Sequence, residues 1–265
     1  MIFLKAALLG IVEGLTEFLP ISSTGHMLLV DRFLALTPDK TFNDAFMVII
    51  QLPAVLAVVL YFWARLWPLG KPVAERNATI LLWTKIVAAF VPAAVIGFLL
   101  DDLIEKWLFN AVVVCIALIV GGVILIVLES RKRRPVVTGT DAMSYARAVG
   151  VGFIQCIAMV PGTSRSAATI IGAMALGADR KTAAEFSFFL AIPTMLGATA
   201  LKLLKNGLIF TGVQWGALAV GSVVSFVVAY AVVAFLMRYI QRHDFKVFGY
   251  YRIVLGAIVL LLAWA

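Results

Sequence analysis

Between residues 11 and 30 the chain reads "IVEGLTEFLPISSTGHMLLV", an otherwise apolar stretch that carries Glu13, Glu17, Ser22, Ser23, Thr24 and His26. Glu13 and Glu17 stand four apart, so a helix places both carboxylates on one face. Pro20 ends that helix, and Ser22 and Ser23 are types that cap the start of the next. His26 then falls within about the first turn of the second helix. Paired carboxylates can hold a hard cation or act as a base, and a hydroxyl or imidazole can act as nucleophile. Such groups inside an apolar run are costly, and they ordinarily face polar partners or a substrate path. A buried, hydrogen-bonded cluster without chemistry is the competing reading.

A second constellation lies at "PGTSRSAAT", residues 161–169. Gly162 permits a tight turn. Thr163 or Ser164 can cap the helix that follows, whose N-terminal N–H groups favour an anion. Arg165 adds a permanent charge with a bidentate fork suited to phosphate. Ser164, Ser166 and Thr169 add hydroxyls. An arginine that merely snorkels to an interface is the alternative.

The elements that must position these groups follow from composition. The 265 residues are 63% hydrophobic and 14% charged, with mean hydropathy +1.05. Soluble chains are about 45–50% apolar and about 25% charged, so a single all-α polytopic membrane domain over residues 1–265 is expected. Six segments can cross a bilayer: 44–64, 83–100, 111–128, 183–201, 215–236 and 248–264. Residues 2–36 and 148–177 are each interrupted at their middle. Their arms are too short for a core of about 30 Å, which predicts two re-entrant hairpins. Glu13 and Glu17 interrupt the first apolar region, so the start does not read as a cleavable signal. Cys115 and Cys156 lie apart in apolar segments and read as packing residues.

The halves match each other. "AFMVIIQLPAVLAV" (45–58) aligns with "EFSFFLAIPTMLGA" (185–198), and "EFLPISST" aligns with "AMVPGTSR". These matches predict repeats of about 1–128 and 148–265. The net charge of +8 sits in short loops and points to anionic lipid rather than nucleic acid. With the basic loops at 65–82, 129–147 and 237–247 inside, both termini fall outside and the repeats are inverted. Lys202 and Lys205 then fall outside, against the trend. The tips meet in this arrangement. Their combined chemistry suits a phosphorylated lipid held with Mg²⁺ or Ca²⁺, by Glu13 and Glu17 on one side and Arg165 on the other. Gln51, polar within a span, lines the same region or bonds to a neighbouring helix.

These residues resemble the undecaprenyl-diphosphatase family of the bacitracin-resistance type. Glu13-x-x-x-Glu17 is similar to its glutamate-rich motif, "PGTSRSAAT" to its PGxSRSxxT motif, and "SSTGH" and "EFSFFLAIP" match as well. The resemblance implies removal of the terminal phosphate from undecaprenyl diphosphate, recycling the carrier for peptidoglycan. It also implies a divalent metal, a bacterial inner membrane and a site open to the outer side. "SSTGH" bears a fainter likeness to the type-2 phosphatidic-acid phosphatases. That family's Lys-x6-Arg-Pro element is missing, and Ile171 stands where its histidine is required.

Ser23 and His26 are both candidates for nucleophile, and the sequence leaves the choice open, with Ser23 assisted by His26 preferred. His26 is alternatively a base or an acid for the leaving group. Glu17 is the first choice for metal ligand or base and Glu13 the second. Arg165 holds the diphosphate, supported by Ser164, Ser166, Thr169, Ser22, Thr24 and Gln51. A polyprenyl-phosphate flippase is the rival reading, because it shares inverted repeats and phosphate recognition but needs no nucleophile. A homodimer is an open assembly state.

Overall fold

The computed structural model describes residues 1–108, 110–131, 134–206 and 210–264. These residues are helical throughout, apart from turns and one isolated bridge between Val137 and Ala178. The first hairpin is α1 (Ile2–Thr16) and α2 (Ser23–Leu34). Then come α3 (Lys40–Ile49), α4 (Gln51–Tyr61), the short α5 (Trp63–Leu66), α6 (Val73–Leu108) and α7 (Ala111–Ser130). The second hairpin is α8 (Tyr145–Gln155), a 3₁₀ turn at Cys156–Met159, and α9 (Arg165–Ala175). It is followed by α10 (Arg180–Asn206), α11 (Gly212–Tyr239) and α12 (Lys246–Trp264).

Five helical segments among the described residues are long and apolar enough to cross a membrane: Lys40–Tyr61, Val73–Leu100, Ala111–Ser130, Arg180–Leu204 and Gly212–Tyr239. They correspond to five of the six expected segments. The sixth forms α12, whose 19 residues lie along α7. The hairpin arms are shorter. The 15 residues of α1 rise about 22 Å and the 11 of α9 about 16 Å, each below the thickness of a bilayer core.

The first span is broken at Ile50, because Pro53 cannot accept the geometry of a continuous helix over the preceding turn. Carbonyls exposed by the break find side-chain donors. Thr199 donates to Val48 O at 3.4 Å and Ser225 to Ile50 O at 3.0 Å.

Helix contacts are made through small residues. A Cβ on Gly10 would lie 2.6 Å from the Gly221 carbonyl, and one on Gly14 2.8 Å from that of Ser225. The α1 backbone therefore rests directly on α11, as small-xxx-small faces permit in lipid. α7 and α12 approach in the same way at Gly122 and Gly249. The order of parts occurs twice: hairpin, then three long segments. Each hairpin's first arm docks on a helix from the other half, α1 on α11 and α8 on α6, while α4 meets α10 and α7 meets α12.

Ion pairs tie one end of the bundle. Buried Glu129 accepts from Arg180 at 2.7 Å and from the Phe245 N–H at 3.0 Å, joining α7, α10 and the turn before α12. Arg65 pairs with Asp141, whose carbonyl accepts from Lys85 at 3.0 Å.

Candidate active site

Each hairpin turns through the same local device. Ser22 and Ser164 are the described non-glycine residues with positive φ, at 74° and 70°, and each is the N-cap of the following helix. Ser22 Oγ accepts from the Gly25 N–H at 3.3 Å, and Ser164 Oγ accepts from the Ala167 N–H at 3.2 Å. The two caps are 142 residues apart, one more than the motif alignment of Pro20 with Pro161 implies. Ser23 and Arg165, each just after its cap, thus occupy matching positions. In the second tip Gly162 has φ 91°, and a Cβ there would lie 2.5 Å from the Val114 carbonyl, so both the turn and the space demand glycine.

The tips touch through their functional groups. Arg165 donates from Nε and Nη2 to one oxygen of Glu17, at 3.3 Å in each case. The other oxygen accepts from the Ser23 hydroxyl at 2.9 Å. Arg165 is 7% exposed and Glu17 5%, so this cross-tip pair is held away from solvent. The remaining Arg165 nitrogen donates to the Ser187 carbonyl at 2.9 Å, and the guanidinium lies 5.9 Å from the Phe18 ring. Phe18 is fully buried and meets Phe188 edge-on at 5.4 Å, which fixes the first tip against α10.

The acceptor for Ser23 is therefore Glu17. His26 takes a different pair of partners. Its Nδ1 donates to the Ser22 carbonyl at 2.7 Å, which in the neutral ring leaves Nε2 to accept from the Tyr251 hydroxyl at 2.8 Å. The two rings are stacked at 5.6 Å.

The second-tip hydroxyls hold the tip together. Ser166 donates to the Leu19 carbonyl of the first hairpin at 2.8 Å, and it accepts from Ser164 at 3.0 Å. Thr169 donates to the Arg165 carbonyl at 2.8 Å and shares a 2.6 Å bond with Ser187. Thr24 and Gln51 are half-buried, and no hydrogen bond joins either to the opposite tip among the described residues.

Two buried polar atoms stand without a partner among the described residues: Oε1 of Glu13 and Nε2 of Gln155. Gln155 follows Glu13 by 142 residues, the separation of the two caps. Among the described residues no three His, Cys, Asp or Glu side chains cluster as a complete metal shell. Mg²⁺ commonly takes only one or two carboxylates and completes its shell with water and substrate phosphate. The orphaned Glu13 oxygen beside Glu17 fits that kind of site.

Three contributors escaped the sequence reading. Ser187 lay within "EFSFFLAIP" without an evident task. Tyr251 and Arg252 lay in an expected span. An arginine in such a span is a signal in its own right, by the rule that drew attention to Arg165.

Comparisons with known proteins place the chain in a family. The family model described as bacitracin resistance protein BacA matches residues 6–258. The undecaprenyl-diphosphatase 1 of Clostridioides difficile (strain 630) is 55% identical over 258 residues, covering 97% of this chain and 94% of the relative. The undecaprenyl-diphosphatase of Enterococcus faecalis is 51% identical, covering 98% and 96%. That of Fusobacterium nucleatum is 52% identical, covering 97% and 99%. With a family match over nearly its whole length and half its residues shared with such relatives, this chain belongs to the bacitracin-resistance (BacA) family.

Proposed function

We propose that the protein removes the terminal phosphate from undecaprenyl diphosphate, yielding undecaprenyl phosphate and inorganic phosphate. The observation that carries this reading is the chain Ser23–Glu17–Arg165. A hydroxyl is bonded to a carboxylate, and that carboxylate is paired with a cation from the other tip. The curated relatives' name supplies the substrate class.

In the first step Ser23 Oγ attacks the terminal phosphorus in line while its proton passes to Glu17 Oε2. The Oγ–P bond forms as the bond to the bridging oxygen breaks, and the lipid monophosphate leaves. Arg165 and the N–H groups at the starts of α2 and α9 stabilise charge on the phosphoryl oxygens. Water then attacks the phosphoserine phosphorus with His26 taking its proton, and the Oγ–P bond breaks as Glu17 returns its proton to Ser23 Oγ, releasing inorganic phosphate. Glu13 and Glu17 would hold Mg²⁺ or Ca²⁺, which when bound offsets the charge of the diphosphate oxygens.

The finer membrane arrangement belongs to the same proposal. α12 is the sixth span, the two hairpins are re-entrant, and the halves are inverted repeats. Short hairpin arms, the doubled order of parts and the basic loops support it. The family resemblance further implies a site open to the outer side of a bacterial inner membrane, where glycan polymerisation releases the diphosphate. Flipping without hydrolysis needs neither the Ser23–Glu17 bond nor the relatives' activity.

The decisive experiment is phosphate release from undecaprenyl and farnesyl diphosphates by purified protein, with and without chelator. Release is expected from both, abolished by chelation and restored by Mg²⁺ or Ca²⁺. No release under any metal condition sinks the phosphatase reading.

A further inference from the structure

Behind the two tips lies Arg252 of α12, with 0% of its surface exposed. Its guanidinium has no carboxylate partner among the described residues. Among the described residues every hydrogen bond it makes is to a backbone carbonyl: Nε to Leu118 at 3.3 Å, Nη1 to Pro20 at 3.4 Å, and Nη2 to Ala117 at 3.1 Å and Gly162 at 3.2 Å. Pro20 and Gly162 are the turn residues of the first and second tips. Each sits two residues before a cap serine, and so three before Ser23 and Arg165. One planar group therefore grips both turns and anchors them to the middle of α7.

Space is reserved for it. A Cβ on Gly121 would lie 2.3 Å from Arg252 Nη2 and 3.0 Å from Cζ. No side chain fits at position 121 while the guanidinium keeps its place.

We propose that Arg252 is a positioning residue that locks the two hairpin tips in register, and that Gly121 serves to admit its guanidinium. A buried charge without a counter-ion is expensive. Its fixed, planar set of donors is what a lysine could not reproduce. The fork spans carbonyls on three elements and converts two separately capped turns into one rigid unit. Chemistry that requires Ser23, Glu17 and Arg165 to converge depends on that register, because a displacement of about 1 Å can cost about 100-fold in rate. The kinetic consequence rests on the phosphatase reading. The structural one does not.

The test combines three variants with two readouts. Hydrogen exchange of the purified protein in detergent is followed at residues 17–26 and 160–169, and kcat and KM are measured with farnesyl diphosphate. Arg252→Met should speed exchange at both tips together while the rest of the protein keeps its protection. It should also lower kcat about 100-fold with KM little changed. Arg252→Lys, whose ammonium can reach some of the four carbonyls, should recover part of both. Gly121→Ala, which displaces the guanidinium without removing its charge, should reproduce Arg252→Met in the wild-type background and add little to it in the double variant.

Exchange that rises at one tip only, or at neither, overturns the proposal. So does a change in KM alone, which would make Arg252 a direct phosphate ligand. Additive effects of Gly121→Ala and Arg252→Met overturn the pairing of these two residues. If the wild type releases no phosphate, the phosphatase reading falls and the exchange data still decide the role of Arg252.

Discussion

The two hairpin tips share a backbone and divide the chemistry. Both turn through a serine with positive φ, and both start a helix on that serine's hydroxyl. At matching positions the first tip has Glu13 where the second has Gln155, Glu17 where it has Met159, Ser23 where it has Arg165, and His26 where it has Ala168. Acid, hydroxyl and imidazole stand on one side and the cation on the other. If the two hairpins descend from one ancestral element, as we propose, the duplication supplied a scaffold and later substitutions supplied the reaction. In the proposed mechanism neither tip holds a complete site. The Glu17–Arg165 pair joins the two tips directly.

The largest effects should come from breaking the first tip's own bond. Ser23→Ala and Glu17→Gln each remove one partner of the proposed nucleophile–base pair. Turnover of farnesyl diphosphate should fall about 10²–10⁴-fold in both. A double variant no worse than either single one would show that they act as a unit. Retention of near-normal turnover by Ser23→Ala would transfer the nucleophile to His26, and phosphate trapped on that ring would prove it.

Breaking the contribution of the second tip comes next. Arg165→Lys keeps a charge but loses the fork that reaches Glu17 and Ser187 at once, and should cost about 100-fold in kcat through misplacement. Arg165→Ala should also raise KM. Full activity of the lysine variant would remove the bidentate clamp from the mechanism.

The comparison is sharpened by making the tips more alike. Glu13→Gln gives the first tip the side chain that the second carries at Gln155. Activity should then need roughly tenfold more Mg²⁺ for half-saturation, within the range seen when metal-site contacts are lost. An unchanged metal titration would exclude Glu13 as a ligand. The smallest effect is expected at Gln155 itself. Its Nε2 is buried without a partner among the described residues, and an unsatisfied buried group costs about 1–3 kcal/mol. Gln155→Leu should leave turnover within a factor of about two and hold or raise the melting temperature in detergent. A large loss of turnover would make Gln155 part of the site.

Much of this was legible in the sequence because membrane-embedded polar residues are rare enough to be conspicuous. Glu13, Glu17, His26 and Arg165 announced two tips, and helix-breaking residues at 20 and 161–162 announced two turns. The partnerships were not legible. Which group accepts from Ser23 depends on the angle between α1 and α2: the sequence favours His26 as its assistant, and the structure gives that place to Glu17. Ser166 and Thr169 read as ligand donors, yet their hydroxyls bond to Leu19, Arg165 and Ser187, because a tip packed in apolar surroundings must first satisfy its own backbone. Arg252 is inconspicuous in the sequence because its span is otherwise apolar and the carbonyls that hold it belong to residues more than 80 positions away.

The cap serines have a consequence for anyone seeking a hardier version of this protein. Positive φ at a residue other than glycine costs about 1–3 kcal/mol, whereas replacing a serine N-cap by glycine loses only a few tenths. On thermodynamic grounds glycine is the better residue at positions 22 and 164, and selection for heat resistance in detergent should find it there. The wild-type chain keeps hydroxyls at both places, at the mouths of two helix N-termini. That choice forgoes robustness, as functional sites commonly do. Variants enriched for endurance at these two positions should accordingly be the ones that turn over least.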